Sequence, residues 1–199
     1  MKKLILLASV MMLSVGAFAQ AKHRVGSVTV QPKIGLNIAN VTDADDADPR
    51  IGFVGGAEFE YQVTPMFSLS AGALYSAQGA KEKETISGVK VNETLRVDYI
   101  NVPIMANVYV APGFAVKLGI QPGFNVNAEI EAKAQGVTVT QSISDDVKSV
   151  DFSIPVGLSY EYKNFVLDGR YNFGVSKIMD GEGSKNSVFQ FTLGYKFAL

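Results

Sequence analysis

The C-terminal stretch, residues 187–199, reads SVFQFTLGYKFAL and decides the fold. Its residues alternate between an apolar, mostly aromatic set and a polar or small set. The first set is Phe189, Phe191, Leu193, Tyr195, Phe197 and Leu199, and the second is Gln190, Thr192, Gly194, Lys196 and Ala198. Strict alternation is typical of a β-strand with two unlike faces. We predict that this strand closes a transmembrane β-barrel, with its apolar face toward lipid and its polar face toward the lumen.

The same alternation recurs in seven earlier segments, which are joined alternately by short turns and long polar stretches. These segments are residues 28–39, 51–63, 67–78, 95–110, 114–127, 150–162 and 165–175. The long stretches are residues 41–50, 79–94, 129–148 and 176–186, and the second and third of them keep some strand character. This layout is typical of an outer-membrane barrel with short periplasmic turns and long outer loops. We therefore predict an all-β fold, an eight-stranded antiparallel up-and-down transmembrane β-barrel over residues 28–199.

Two irregularities accompany the alternation. In the fourth segment, Leu95, Val97 and Tyr99 share one phase, whereas the apolar residues from Ile100 onward follow the other, so we expect a β-bulge near Tyr99. Proline cannot donate to a β-ladder, and each proline within a strand is expected to mark a bulge or a lost hydrogen bond. The prolines within predicted strands are Pro32, Pro103, Pro122 and Pro155.

The first residues have the features of an export signal. Lys2 and Lys3 precede an apolar run, residues 4–15, and a small-x-small cleavage site follows at residues 17–19. The run is shorter than the roughly 20 residues that a membrane helix needs. We predict a cleaved signal peptide at residues 1–19, a polar lead-in at residues 20–27, and a location in the outer membrane of a Gram-negative-type bacterium.

Alternation does not say which face is inside, because a soluble barrel points its apolar face inward. Two observations favour the membrane: aromatic residues cluster near both ends of the strands, as in the two girdles of a membrane barrel, and the polar face carries charges. An eight-stranded barrel has room only for side chains, and buried charges need partners. We predict a plugged lumen with a charge network of Lys33, Glu58, Glu60, Lys117, Asp151, Glu161, Asp168, Arg170 and Lys196.

The residues of common catalytic and metal sites are scarce. The chain has no Cys, and its single His is His23 in the lead-in, so the usual nucleophile–base pairs cannot be built. Asp43, Asp45, Asp46 and Asp48 lack the glycine and distal glutamate of a calcium loop and are expected to be solvated. We predict no catalysis, no cofactor and no metal. The net charge of -1 argues against nucleic acid as a partner.

Several short motifs resemble the PorT-like outer-membrane barrel proteins, often labelled porin family or outer membrane protein beta-barrel domain. They are KIGLN at 33–37, DYINVPI at 98–104, QPGF at 121–124, Asp151-Phe152 with Gly157, and Arg170-Tyr171-Asn172. The resemblance implies that prolines within strands are a family habit. It also implies that the closing strand is a signal for the barrel-assembly machinery, formed by Thr192, Gly194, Phe197 and Leu199, although the chain ends in Leu and not in the usual aromatic residue.

Our leading hypothesis is an integral outer-membrane barrel with a structural or surface-interaction role and without catalysis. Its expected partners are outer-membrane lipid, the barrel-assembly machinery and an unidentified extracellular or periplasmic protein, and we expect a monomer. Two alternatives remain open. One is a narrow channel or small-solute porin, and the other is a soluble periplasmic ligand-binding barrel with its apolar face inside.

Overall fold

The computed structural model describes residues 24–42, 47–86, 89–134, 137–144, 146–179 and 183–199. Within these ranges the chain forms eleven β-strands, and every pair of hydrogen-bonded neighbours is antiparallel. The strands are β1 (Val28–Val41), β2 (Asp48–Thr64), β3 (Phe67–Ile86), β4 (Val89–Asn101), β5 (Ile104–Ala111), β6 (Phe114–Ala134), β7 (Val137–Ser142), β8 (Val150–Tyr162), β9 (Phe165–Gly174), β10 (Asn186–Tyr195) and β11 (Phe197–Ala198). No helix in these ranges is long and apolar enough to cross a membrane.

The strands close into a ring of eight, which confirms the predicted barrel. Each of the eight ring strands pairs with the next one around the ring, and β10 and β11 pair with β1 to close it. β4 and β5 are two segments of one barrel strand, because they hold a single register against β3, from Leu74 opposite Asn101 to Ala71 opposite Ile104. β10 and β11 are likewise one strand against β1. β7 pairs with β6 outside the ring.

Short turns join the strands at one end of the barrel, which we call the turn end, and longer connections join them at the loop end. The described residues of the predicted lead-in also lie at the turn end, where the Gly26 N–H donates to the Gln62 carbonyl at 2.8 Å. The Leu199 N–H donates to the Val28 carbonyl there at 3.0 Å. Both chain termini of the barrel therefore lie beside the short turns, as an even number of strands requires.

The two faces of the barrel are as different as the alternation predicts. Outward-facing Leu36, Leu167 and Leu193 are 54%, 60% and 52% exposed, whereas inward-facing Lys33 and Arg170 are each 2% exposed. The interior is polar and charged, and the exterior is apolar. The alternative of a soluble barrel with an apolar ligand cavity is therefore wrong, because its apolar face would have to line the interior.

The bulge predicted within the fourth barrel strand lies instead in the neighbouring strand. Val97 and Tyr99 point inward in the same phase as Met105, so β4 and β5 keep one continuous alternation and no side chain changes face. The register shift lies between β4 and β6, where Tyr99 pairs with Asn125 and the preceding Asp98 pairs with Asn127. The extra residue is thus Val126 of β6. The expected irregularity near Tyr99 is present, but the prediction that the extra residue lies in the fourth strand was wrong.

The strand prolines interrupt ladders without shifting their registers. Pro103 separates β4 from β5, and its neighbour Val102 donates to the Pro122 carbonyl at 2.8 Å. Pro155 lies where the β6–β8 ladder lacks pairs, between the Leu118–Val156 and Gln121–Ser153 pairs. Pro32 lies opposite the break between β10 and β11. Of the two outcomes predicted, these prolines therefore mark lost hydrogen bonds and not bulges.

Candidate functional site

A group of five charged side chains lies in the middle of the lumen, and we call it the central ionic cluster. Lys33 of β1 lies 2.8 Å from Glu58 of β2, and Lys117 of β6 lies 2.7 Å from Asp168 of β9. Arg170 joins both carboxylates, with its Nη1 3.1 Å from Glu58 and its Nε 2.8 Å from Asp168. Weaker contacts of 3.9 Å and 4.0 Å cross-link the pairs.

The cluster exists because inward-facing residues of four strands meet in the lumen, one each from β1, β2 and β6 and two from β9. All five side chains are at most 5% exposed. Three cations share two carboxylates, so every charge has an opposite charge within ion-pair distance. Such burial is stable only when the geometry is good, and the bidentate Arg170–Asp168 contact at 2.8 and 2.9 Å provides good geometry for that pair.

A second charged group, the turn-end cluster, lies between the central ionic cluster and the short turns. The ammonium of Lys196 is 2.9 Å from both Glu60 and Glu161 and donates to the Tyr109 hydroxyl at 2.9 Å. Glu60 also accepts hydrogen bonds from Tyr109 and, at 2.8 Å, from Ser68. This cluster has one cation and two carboxylates, so its excess negative charge offsets the excess positive charge of the central ionic cluster.

A cavity of about 740 Å³ opens at the turn end, directly below the turn-end cluster. Its walls come from the lead-in, from the turn between β8 and β9, and from inward positions of the first two strands. The lining residues include Arg24, Thr29, Glu60, Gln62, Glu161, Lys163 and Lys196. The polar lumen is therefore accessible from this end as far as the buried ion pairs.

An apolar group, which we call the loop-end cluster, lies at the loop end of the lumen. Its buried members are Val97, Tyr99, Ala128, Ile143, Val147 and Ile178. The connection before β8 contributes Ile143 and Val147, and the connection after β9 contributes Ile178. An isolated β-bridge pairs Val147 with Met179. The Lys148 N–H also donates to the Ile178 carbonyl at 2.8 Å. The sequence contained one signal of this cluster, the apolar phase of Leu95, Val97 and Tyr99, from which we had predicted a bulge.

Asp151 is the member of the predicted charge network that the structure places apart from the others. It lies near the loop end, where its Oδ1 accepts a hydrogen bond from the Ser176 hydroxyl at 2.6 Å. Within the described ranges no ion pair joins it to a cation of either cluster. The remaining eight predicted residues form the central ionic and turn-end clusters.

Beyond the loop end, four strand segments continue as a protruding sheet. Its order is β3, β4, β6 and β7, with Lys81 opposite Thr94, Thr94 opposite Glu131, and Glu131 opposite Thr140. The sheet was foreseen in part, because residues 79–94 and 129–148 have strand character in sequence. The structure extends β3 to Ile86, begins β4 at Val89 and extends β6 to Ala134.

One face of the protruding sheet is held by ion pairs. Arg96 is 3.3 Å from Glu129 and 2.7 Å from Glu131, and Lys133 is 2.7 Å from Glu131. The hydrogen bond from Lys133 and the charge of Arg96 hold the pKa of Glu131 below its usual value. These pairs are partly or largely exposed, so each contributes little to stability on its own. Together they link β4 to β6 on this face of the sheet.

β7 is the outermost strand of this sheet. In the described part of the chain it pairs with β6 alone, so its other edge has no neighbouring strand. All of its residues are exposed, with Val137 and Val139 at 64% and 61%. An exposed strand edge presents unpaired N–H and C=O groups, which are a template for pairing with another chain.

The structure assembles no evident catalytic or metal centre in the ranges it describes. There it places no group of three or more His, Cys, Asp or Glu side chains suited to a metal ion. Asp48 is 2.6 Å from Lys83, whose hydrogen bond holds the pKa of this carboxyl below its usual value. Asp43, Asp45, Asp46 and His23 lie outside the described residues. Glu58 and Glu60 belong to different ionic clusters, each bound to cations.

The four residues of the predicted assembly signal lie on the last barrel strand or just after it. Thr192 points inward and is buried, whereas Phe197 and Leu199 are exposed near the turn end. Gly194 faces the lumen, and a side chain there would overlap the buried side chain of Gln31. The folded barrel thus gives Gly194 a packing role of its own, and the assembly signal stays a prediction.

Comparison with known proteins places this barrel in a family. The family model described as "Outer membrane protein beta-barrel domain" matches residues 18–180, which is most of the chain. The chain belongs to this family. Membership agrees with the polar interior and apolar exterior described above, and it indicates an outer-membrane location.

Solved structures agree with the fold. Ail, the attachment invasion locus protein of Yersinia pestis, is 17% identical with a TM-score of 0.52, covering 87% of this chain and 100% of that one. Ail in complex with the heparin analogue sucrose octasulfate is 14% identical with a TM-score of 0.51 and the same coverage. Neisserial surface protein A is 14% identical with a TM-score of 0.49, covering 85% and 97%. At these identities the likeness concerns the fold alone. No curated protein matches the chain.

Proposed function

We propose that this protein is an integral outer-membrane barrel that presents its protruding sheet to partners outside the cell, with a plugged lumen and without catalysis. The observation that carries the proposal is the open edge of β7, held away from the barrel by β3, β4 and β6. An extended peptide can add to such an edge through main-chain hydrogen bonds, while side-chain contacts supply specificity. Val137 and Val139 offer apolar contacts of that kind.

The proposed orientation puts the turn end in the periplasm and the loop end outside. It rests on the family and on the usual layout of outer-membrane barrels, whose short turns are periplasmic. With this orientation we also propose the cleaved signal peptide at residues 1–19, and we keep the PorT-like assignment as the finer family proposal. The protein is proposed to act as a monomer, because its ring of eight strands closes within one chain.

A plugged lumen is supported by what occupies each level of the barrel. Buried ion pairs fill the middle, and the loop-end cluster fills the outer mouth. A narrow channel would need a continuous aqueous path past both. Planar-bilayer recordings of the purified barrel should therefore show no steady conductance, and reproducible single-channel steps would argue for the channel instead.

The surface role is tested on intact cells. An epitope tag inserted between β6 and β7, at residues 135–136, should be accessible to antibody without permeabilisation. The Val139→Lys variant should reduce attachment of expressing cells to at least one of a panel of immobilised soluble proteins. Thr140→Lys is the matched control, because it adds the same side chain to the opposite face of β7. A buried tag, or attachment that is indifferent to removal of β7, would contradict the proposal.

A further inference from the structure

A groove on the apolar exterior of the barrel has Gly169 as its floor. Gly169 of β9 pairs with Leu158 of β8 on one side and with Phe191 of β10 on the other. Its neighbours Asp168 and Arg170 are buried in the lumen, so Gly169 faces outward. Outward-facing Leu167 and Tyr171 precede and follow it along the strand. The missing side chain leaves space in an apolar groove of about 550 Å³, whose lining extends across β8 to Phe114 and Val116 of β6.

The backbone does not require glycine at this position. At Gly35, Gly52 and Gly56, an added Cβ would overlap a backbone carbonyl oxygen of the neighbouring strand. At Gly169 the added Cβ would meet only the ring of Phe191, at 3.4 Å, which is a tolerable contact. Glycine weakens the interior of a strand, and a larger apolar residue would add lipid-facing surface. Gly169 therefore lowers strand stability without being required by the backbone conformation. The best explanation for glycine at this position is the groove that its missing side chain leaves open.

The dimensions and chemistry of this space fit one hydrocarbon chain. From Leu167 to Tyr171 the strand rises about 13 Å, at roughly 3.3 Å per residue, which is about half of the ~25 Å apolar band of an outer-membrane barrel. The groove therefore spans about one leaflet. Its walls around Gly169 include the side chains of Leu158, Leu167, Tyr171, Phe189 and Phe191. The ring of Tyr171 packs against that of Phe189 with centroids 4.5 Å apart, which closes the groove toward the loop end.

We propose that this groove binds one acyl chain of a membrane lipid, in a defined position and for longer than the surrounding lipid stays. The groove lies on the face that the barrel turns to the bilayer, so acyl chains are the molecules that meet it. Its apolar walls offer nothing to a charged headgroup. The inference goes beyond the proposed surface function and does not depend on the protruding sheet, so either can fail without the other.

The test counts lipids that stay on the barrel. The purified protein is reconstituted in vesicles of dioleoyl phosphatidylcholine, extracted into mild detergent and examined by native mass spectrometry. Phosphatidylcholine has no net charge, so a lipid that stays bound to the barrel is held through its acyl chains and not through headgroup charge. The wild-type barrel should carry one lipid that survives collisional activation. Gly169→Leu, which fills the groove, should lower the lipid-bound fraction at least tenfold, and Gly169→Ala should have an intermediate effect.

Ala73→Leu is the matched control. Ala73 faces outward on β3, on the opposite side of the ring from β9, and lies outside the groove. It should retain lipid as the wild type does. Circular dichroism of each variant checks that the barrel has folded before lipids are counted. The proposal is overturned if folded Gly169→Leu retains lipid like the wild type, or if the wild type retains none. A wild-type dimer that Gly169→Leu dissociates would assign the groove to a second copy and would equally overturn it.

Discussion

Replacing Asp168 by Asn should destabilise the barrel far more than its small change in volume suggests. The Asp168 carboxylate is fully buried and forms ion pairs with Lys117 at 2.7 Å and with Arg170 at 2.8 Å. Without its charge, Lys33, Lys117 and Arg170 share Glu58 as their one remaining carboxylate in the central ionic cluster. Removing one partner of a buried ion pair costs about 3–5 kcal/mol. We expect the free energy of unfolding, from urea titration in lipid vesicles, to fall by about that amount.

The double variant Asp168→Asn with Lys33→Met tests the reasoning more sharply. It restores the difference between cations and carboxylates in the cluster to its original value, so it should recover about 1–3 kcal/mol relative to the sum of the single variants. Asp48→Asn is the control, because Asp48 makes an equally short ion pair with Lys83, at 2.6 Å, but on the exposed sheet. Asp48→Asn should leave the free energy of unfolding unchanged. If Asp168→Asn unfolded like the control, or if the two lumen changes were additive, the charge-balance argument would be refuted.

Three further outcomes are expected. Tyr99→Ala should lower the free energy of unfolding by about 3–5 kcal/mol in the same urea titration, since it opens the loop-end cluster, while Tyr99→Phe should cost about 1 kcal/mol. The pKa of the Glu131 carboxyl is depressed in the folded sheet, so its ion pairs stabilise the sheet above pH 4.5. This stabilisation is lost as the pH falls through the lower, folded pKa. Pepsin should therefore nick the protruding sheet faster below pH 4.5, while the barrel survives. Phe197→Ala should reduce the amount of barrel in outer-membrane fractions without changing refolding of the purified chain, and equal losses in both assays would contradict an assembly signal.

The sequence was sufficient to predict most of the fold, because a barrel strand needs little more than alternation and turn chemistry. β8 was predicted with its observed bounds, Val150–Tyr162, and the turns at Pro65, Pro112 and Lys163 fall where the structure has them. Inward positions were also predictable. The ion-pair partners of these inward residues were not predictable. Lys117 and Asp168, for example, are distant in sequence and meet only through the stagger of strands around the ring. The alternation pattern gives the position of a residue along its own strand. It does not give the offset between that strand and the strands elsewhere in the ring.

The error at Tyr99 has a physical cause that applies to other barrels. Within the bilayer an apolar residue is stable on the outer face, so an apolar phase identifies lipid contact. Near the loop end the outer face meets water, and an apolar side chain is more stable inside, where connections can cover it. Val97 and Tyr99 lie at this level and are buried against Ile143, Val147 and Ile178, which belong to the connections before β8 and after β9. A change of apolar phase toward the loop end of a strand therefore does not require a bulge. It equally indicates the depth at which the lipid-facing band ends and an internal apolar cluster begins.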